Sequence, residues 1–321
     1  MTLHLDRTGF SELLIDIGER SDIDVDILEK DYYVCVVLKQ LSQRQDRLRA
    51  YFKGGTAIYK MLAEMRRFSE DIDLTVRSDE SLSNTKNKAI FEESAKGYAV
   101  DGLSLVSDRT INRKGTVTAF YEYQTVAEYI VNPLRRTGEI QVEATSFTES
   151  EPTENYKIEP LMFKLATPQQ RQYMQVNYGI EPFDVLTITL ERAFIDKLFA
   201  AQKYLTDLPI PELSRPIELA KHLYDIVVLF KEQRIKDFLI NKAEVNRIEA
   251  IRRHEEKARI GGVSADVLLV DFAYFKATLD KECYVAFAAM QDKYVLQDRF
   301  RVSAKELDTV LSGIYKFLKG K

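Results

Sequence analysis

The sequence predicts an α/β chain in two parts: a core built on a mixed sheet and preceded by helices, and a second domain made of helices. Two patterns predict this division. Between about residues 51 and 147, short apolar runs alternate with a period of two, as in strands with one buried face. After residue 187, the apolar residues recur at helical spacing. We therefore expect an N-terminal domain of residues 1–186 and a helical domain of residues 187–321.

The N-terminal domain is expected to begin with a pair of helices and to continue as a sheet. Phe10, Leu14 and Ile17 share one helical face, and a second repeat of this kind starts at Val25. Alternating apolar residues then predict strands at Leu74 and Val76, Leu103 and Leu105, Val117 to Tyr123, and Ile140 and Val142.

Three further elements complete the expected order. A helix from about Thr56 to Glu64 is predicted early in the sheet region. Prolines and polar residues between about residues 151 and 184 predict a connecting region with one or two further strands. In the helical domain, the last helix is expected to begin at a capping box formed by Ser303 and Glu306.

The overall charge excludes a strong whole-protein attraction to nucleic acid or to an anionic membrane. The chain carries 46 basic and 50 acidic side chains, a net charge of −4. Any contact with nucleic acid must therefore come from a local patch. Two basic groups could contact RNA phosphates or could simply be solvated surface: Arg135 with Arg136, and Arg247, Arg252, Arg253, Lys257 and Arg259.

The chain is expected to be soluble and cytoplasmic, without a membrane partner. Its first residues lack the basic and apolar regions of a signal peptide, and no apolar run reaches the roughly 20 residues that span a bilayer. Cys35 and Cys283 each stand in a helical apolar pattern without a nearby partner. This predicts two reduced core residues rather than a disulfide or a zinc site.

The segment from residue 52 to residue 74 contains the main candidate functional residues. Gly54 and Gly55 follow a short predicted strand and lead into the helix that starts near Thr56. Unhindered backbone N–H groups and the positive end of the helix dipole therefore converge on one spot. Such a spot suits a phosphate.

Two aspartates follow on the next predicted strand. Asp71 and Asp73 are two residues apart, so both side chains project from the same face of the sheet. Adjacent carboxylates repel each other, and Mg²⁺ bound by carboxylates and substrate phosphates would relieve this repulsion. Glu143, on a later strand, could complete the site, or it could be a surface charge on an alternating strand.

The combination of these parts is more informative than any one of them. A Gly-Gly-Thr sequence alone is usually a turn, and Asp-Ile-Asp alone is more often a solvated strand edge. In this order, and with Arg67 and Ser69 before the carboxylates, they predict a nucleotide site. In an arrangement with two Mg²⁺ ions, one would activate the attacking hydroxyl and the other would steady the leaving pyrophosphate.

These residues resemble a known family. The Gly-Gly-Thr sequence and the Arg-x-Ser-x-Asp-x-Asp pattern that ends at Asp73 are similar to the signature of the AbiEii-type nucleotidyltransferase toxins, within the superfamily of minimal nucleotidyltransferases. Three further matches extend the resemblance over roughly residues 25 to 230: Glu29-Lys-Asp-Tyr-Tyr33, Glu191 to Lys197, and Arg215 followed by His222-Leu-Tyr-Asp225.

The resemblance assigns roles to the matching residues. It implies that the strand aspartates bind metal, that the Gly-Gly-Thr segment holds the nucleotide phosphates, and that a helical lysine and aspartate complete the site. The third strand carboxylate is a glutamate here rather than an aspartate. The nucleotide-binding residues are thus Gly54, Gly55, Thr56, Ser69 and Lys197. The catalytic residues are the metal ligands Asp71, Asp73 and Glu143 together with Lys197 and Asp225.

Lys197 and Asp225 can also be interpreted without the resemblance. A lysine on an apolar helix, such as Lys197, either reaches the surface or holds a phosphate in a cleft. Asp225 stands among apolar residues, so it requires a partner, for which Arg215 is a candidate, or an orienting role in the site. Because the sheet segment offers few cations, we expect the site to lie in a groove between the two domains, with Lys197 supplementing the phosphate cradle.

The expected function is that of a nucleotidyltransferase. It would transfer a nucleoside monophosphate from an NTP to an acceptor and release pyrophosphate. The resemblance implies a toxin that modifies the 3′ end of tRNA and is neutralised by a separately encoded antitoxin. Two alternatives remain: a small-molecule or protein acceptor, since one fold hosts many acceptors, and a nucleotide-binding module without turnover.

Overall fold

A computed structural model describes residues 1–126, 137–206, 215–258, 262–276 and 279–320, with residues 206, 215, 258 and 276 described by their backbone alone. The chain divides into two compact units, Met1–Ile188 and Thr189–Lys321. Within the described ranges, no helix combines the length and the hydrophobicity needed to cross a bilayer. The predicted fold class is confirmed, because a mixed sheet with flanking helices is followed by helices.

The first unit consists of one sheet and the helices around it. Its strands are β1 (Ala50–Lys53), β2 (Ile72–Val76), β3 (Leu103–Leu105), β4 (Ile111–Arg113), β5 (Thr116–Tyr123), β6 (Glu139–Thr145), β7 (Thr153–Ile158) and β8 (Phe183–Ile188). Its helices are α1 (Arg7–Ser21), α2 (Val25–Ser42), α3 (Gln45–Leu48), α4 (Gly54–Met61), α5 (Asn84–Lys96), α6 (Leu161–Leu165) and α7 (Pro168–Tyr178).

The sheet places β2 and β6 side by side near its centre. Its strand order is β3-β5-β6-β2-β1-β8-β7, and β4 pairs with β5. Strands β2 and β6 are parallel, as are β1 and β8, whereas the other pairs are antiparallel. The sheet is therefore mixed, as predicted.

The two faces of the central strands differ in polarity. Phe52, Leu74 and Val142 are fully buried in the core. The alternating positions carry half-buried polar side chains, including Asp73 and Glu143. Because successive side chains of a strand point to opposite faces, one face of β1, β2 and β6 forms the core and the other presents ionisable groups.

The predicted helix at Thr56 begins two residues earlier, at Gly54, and ends at Met61. The connecting region between about residues 151 and 184 contains β7, as expected, but also α6, α7 and the start of β8. Helix α7 carries a complete capping box, formed by Thr167 and Gln170. The prolines and polar residues of the connecting region thus belong to helix caps as well as to loops.

Two further predictions are partly correct. Ser303 caps the last helix by accepting a hydrogen bond from the backbone N–H of Glu306, but the side chain of Glu306 forms an ion pair with Lys231 at 2.7 Å. The expected capping box is therefore formed on one side only. Both cysteines are free thiols; Cys35 is buried in the core as predicted, whereas Cys283 is only half-buried. Burial raises the pKa of the Cys35 thiol to about 12.

The second unit is helical. Its α-helices are α8 (Leu190–Thr206), α9 (Arg215–Lys231), α10 (Gln233–Ile240), α11 (Lys242–Ala258), α12 (Ala273–Lys276), α13 (Lys281–Tyr294) and α14 (Ala304–Lys319). Helix α9 packs against α8, α10, α13 and α14. Apolar side chains of α9 such as Leu223, Ile226 and Val227 are accordingly buried.

The predicted basic group at the end of α11 is only partly exposed, because Arg252 is buried. Arg252 is buried and forms ion pairs with Glu255 at 2.9 Å and with Glu256 at 2.5 Å. Arg253 pairs with Glu249 at 2.7 Å, and the exposed Arg247 with Glu244. Acidic residues of the same helix thus neutralise these arginines. Lys257 is exposed, and Arg135, Arg136 and Arg259 lie outside the described residues.

Candidate active site

The turn from β1 into α4 brings Gly54 against the aspartate of β2. Strands β1 and β2 are antiparallel neighbours, and Lys53 pairs with Asp73. Gly54 adopts a φ of +85°, which favours glycine. A Cβ atom at Gly54 would overlap the carboxylate of Asp73. Only a residue without a side chain lets the start of the helix come this close to the carboxylate.

We expect Gly54→Ala to abolish nucleotide transfer and to destabilise the first unit. The positive φ costs an alanine about 1–2 kcal/mol, and the overlap with Asp73 adds to this cost. Gly179→Ala is the matched control, because Gly179 also has a positive φ, +61°, but has nothing within 4 Å of its Cβ position. Chemical denaturation measures the stability of both variants. An equal loss of stability in the two variants would contradict the close approach.

The helix start, a serine and an arginine converge beside Gly55. A Cβ atom at Gly55 would lie 2.8 Å from Oγ of Ser69 and 2.9 Å from Nη2 of Arg67. The hydroxyls of Ser69 and Thr56 lie 3.0 Å apart. Arg67 is buried, and its Nη1 donates to the carbonyl oxygen of Phe68 at 3.0 Å. Backbone N–H groups, hydroxyls and a guanidinium thus meet at one point, which is the composition of an anion site.

The register of the sheet pairs acidic residues of two distant segments near its centre. Asp73 of β2 pairs with Glu143 of β6, and Thr118 of β5 continues the row and donates to Glu143 at 3.4 Å. Asp71 directly precedes β2, so it lies one residue outside the strand on which the sequence predicted it. Side chains paired in register share one face. The register thus brings Glu143 to the carboxylate predicted from the sequence.

The donor set is oxygen-rich but is not a closed metal cluster. Within the described part of the chain, no group of three or more histidine, cysteine, aspartate or glutamate side chains is placed to hold a metal ion. The carboxylates of Asp71, Asp73 and Glu143 are the ligand type that Mg²⁺ prefers. Mg²⁺ commonly takes one or two carboxylates together with substrate phosphates, so a complete protein cage is not required.

Buried charged side chains of α2 form ion pairs with the segments that surround the site. Lys30 pairs with Glu70, the residue before Asp71, at 2.8 Å. Asp31 pairs with Lys60 of α4 at 2.6 Å and accepts a hydrogen bond from the backbone N–H of Leu161. These groups are nearly inaccessible to solvent. The motif at Glu29 to Tyr33 therefore connects α2 to the loop before the aspartates and to α4.

In the second unit, the two candidate residues form an ion pair with each other. Nζ of Lys197 on α8 lies 2.7 Å from Oδ2 of Asp225 on α9, with 10% of the lysine side chain and none of the aspartate side chain exposed. The predicted partner of Asp225, Arg215, has no described side chain. Lys197 is therefore neither a surface lysine nor a bare cation, because Asp225 holds its ammonium in place.

The first unit places more cations beside the candidate residues than its sequence predicts. Lys53 and Arg67 both lie beside the candidate residues, so the expectation that the sheet segment offers few cations is wrong. One signal could have revealed Lys53. It occupies the strand position directly before Gly54, and antiparallel return of the chain would set it opposite Asp73.

A comparison with protein families identifies one match. The family model described as the nucleotidyl transferase AbiEii toxin of type IV toxin–antitoxin systems matches residues 36–310. The matched range contains every candidate site residue, from Gly54 to Asp225. No curated protein matches the chain.

Proposed function

The chain belongs to the AbiEii family of nucleotidyltransferase toxins of type IV toxin–antitoxin systems, and from this membership we propose that it transfers a nucleoside monophosphate from an NTP to the 3′ end of an RNA, with tRNA as the acceptor. Family membership implies an antitoxin partner. The acceptor class and the metal requirement are parts of the proposal.

One observation carries the proposal. The register sets Glu143 beside Asp73, and Gly54 is packed so closely that its Cβ position coincides with the Asp73 carboxylate. The start of α4, which suits a phosphate, and the carboxylates, which suit a cation, are therefore adjacent. A nucleoside triphosphate complexed with a cation presents these two features together.

The site residues fit Mg²⁺ by their chemistry. Asp71, Asp73 and Glu143 would hold it, together with phosphate oxygens of the substrate. The ion would supply charge neutralisation at the reacting phosphate and, in a two-ion arrangement, activation of the attacking hydroxyl.

The residues of the chain itself bind and orient the nucleotide. The backbone N–H groups of Gly54 and Gly55, the hydroxyls of Thr56 and Ser69, and the positive end of α4 would bind phosphate oxygens. In the transfer, the acceptor hydroxyl oxygen forms a bond to the α-phosphorus and its proton is released. The bond from that phosphorus to the bridging oxygen breaks, and pyrophosphate leaves. Such a reaction is catalysed mainly by positioning and charge stabilisation.

Lys197 and Asp225 would act as one unit. A lysine ammonium has three donors, and the ion pair with Asp225 fixes the direction in which the remaining donors point. We assign Lys197 to the triphosphate and Asp225 to the orientation of Lys197. The Lys197 variant described in the Discussion tests this assignment.

A labelling experiment tests the function and the acceptor together. The protein is incubated with total RNA and each of the four NTPs, labelled at the α-phosphate, with and without Mg²⁺. We expect label in RNA of tRNA size with Mg²⁺ only. Label in protein or in a small molecule would identify a different acceptor, and absence of label from every product would overturn the proposed reaction.

A further inference from the structure

Lys53 places a cation on the carboxylate face of the sheet. Its Cα pairs with that of Asp73, and Asp73 pairs with Glu143 on the other side, so the three side chains leave the same face. Nζ of Lys53 lies 2.7 Å from Oγ1 of Thr145 and 3.2 Å from Oγ1 of Thr148. Because Thr145 belongs to β6, the lysine side chain crosses over β2 to reach it.

Threonine hydroxyls define the position of this ammonium. Oγ1 of Thr145 donates to the carbonyl oxygen of Leu74 at 3.1 Å, and Oγ1 of Thr75 donates to the carbonyl oxygen of Thr148 at 2.7 Å. A lysine in a merely solvated position extends its ammonium into water. Lys53 instead turns over the sheet, where strands are about 4.8 Å apart, so its ammonium is close to the strands of Asp73 and Glu143.

We propose that Lys53 is a catalytic residue, whose ammonium binds a non-bridging oxygen of the α-phosphate that is transferred. The inference rests on the proposed function, because it requires the α-phosphate to lie at Asp73 and Glu143. As the bond to the acceptor oxygen forms and the bond to the bridging oxygen breaks, the non-bridging oxygens carry negative charge. A fixed positive charge beside them stabilises the transition state.

The competing role for Lys53 is charge compensation. In that role it would only neutralise Asp73 and Glu143 until a metal ion arrives, and it would not touch the substrate. Removing the lysine would then strengthen Mg²⁺ binding, because a repelling charge is lost, and would leave the rate at saturating Mg²⁺ unchanged. The two roles therefore predict different values of kcat for this variant at saturating Mg²⁺.

The test compares Lys53→Met with Lys157→Met. Lys157 is an exposed lysine of β7 that pairs with Asp184, so its replacement makes the same chemical change away from the site. Circular dichroism checks that both variants fold. Initial rates are measured at saturating Mg²⁺ with the preferred NTP and with the two diastereomers of its α-thio analogue, in which sulfur replaces one non-bridging oxygen.

We expect Lys53→Met to lower kcat by about 100-fold and Lys157→Met to leave it unchanged. The diastereomer that slows the wild-type protein more should slow Lys53→Met less, because the contact with that oxygen is already lost. An unchanged kcat with a lower Mg²⁺ requirement would overturn the proposal in favour of compensation. Equal thio effects in variant and wild type would overturn it in favour of a structural role.

Two further outcomes are distinguishable. If Lys53→Met does not fold, Lys53→Gln, which can still bond to the threonine hydroxyls but carries no charge, is compared in the same way, and an unchanged kcat overturns the proposal. If the wild-type protein itself transfers no label from any NTP, the proposed function fails and the inference about Lys53 fails with it. Transfer by the wild type together with full activity of Lys53→Met removes the inference alone.

Discussion

Asp73→Asn is expected to lower the rate of nucleotide transfer by about 100- to 1,000-fold while leaving the fold intact. Asparagine has the same shape as aspartate but carries no charge, so it cannot compensate a cation at the centre of the sheet. Asp73 is half-buried on the polar face, and its replacement opens no cavity in the apolar core. The rate is measured by transfer of α-labelled nucleotide to the acceptor identified with the wild-type protein.

A binding measurement separates this role from a structural one. The melting temperature of the wild-type protein should rise with Mg²⁺ and NTP together, because a ligand that binds the folded state stabilises it, whereas that of Asp73→Asn should rise little. Asp184→Asn removes an exposed carboxylate of β8 and should behave like the wild type. Wild-type turnover by Asp73→Asn would eliminate Asp73 from the site.

Lys197→Met is expected to destabilise the second unit by about 3–5 kcal/mol and to weaken NTP binding. The variant leaves Asp225, which has no exposed side-chain surface, without the ion pair that it makes in the native protein. A buried carboxylate that loses its counter-ion is costly, since it keeps its charge away from water. Urea denaturation measures the stability, and calorimetry measures the affinity for NTP.

Two variants separate stability from binding. Lys231→Met breaks the more exposed pair with Glu306 and should cost less than about 1 kcal/mol. The double variant Lys197→Met with Asp225→Leu removes both charges and should recover most of the lost stability. It should not recover NTP affinity if Lys197 binds the triphosphate. Wild-type affinity in the folded double variant would make the ion pair a purely structural one.

The regular parts of the fold were predictable because their signals are local. The alternation at Val117 to Tyr123 reflects one buried face, and β5 occupies these residues together with Thr116. Asp73 likewise lies on the predicted strand, although β2 begins at Ile72 and leaves Asp71 just outside it. The pairing of Asp73 with Glu143 was less accessible, because it joins segments separated by about seventy residues and depends on strand order.

The ion pairs of buried charged residues were the least predictable part of the structure. Arg252 stands at helical spacing from the buried Val245 and Ile248, whereas Arg247 does not, but this spacing does not identify the acidic partners of Arg252. The ion pair between Asp225 and Lys197 joins two packed helices, and no spacing in the sequence indicates it. Such pairs depend on helix packing, which periodicity alone does not define.

The pairing of β2 with β6 has a consequence for the fidelity of folding. A shift by one residue would turn Glu143 into the core, so the apolar face strongly disfavours it. A shift by two residues would keep every apolar side chain buried, yet it would move Glu143 away from Asp73. Such a chain would be compact and inactive. The hydrogen bond from the hydroxyl of Thr148 to that of Thr75 discriminates against it, because a two-residue shift sets a different side chain in the place of Thr75. The contact between these threonines therefore favours the strand register that the site requires.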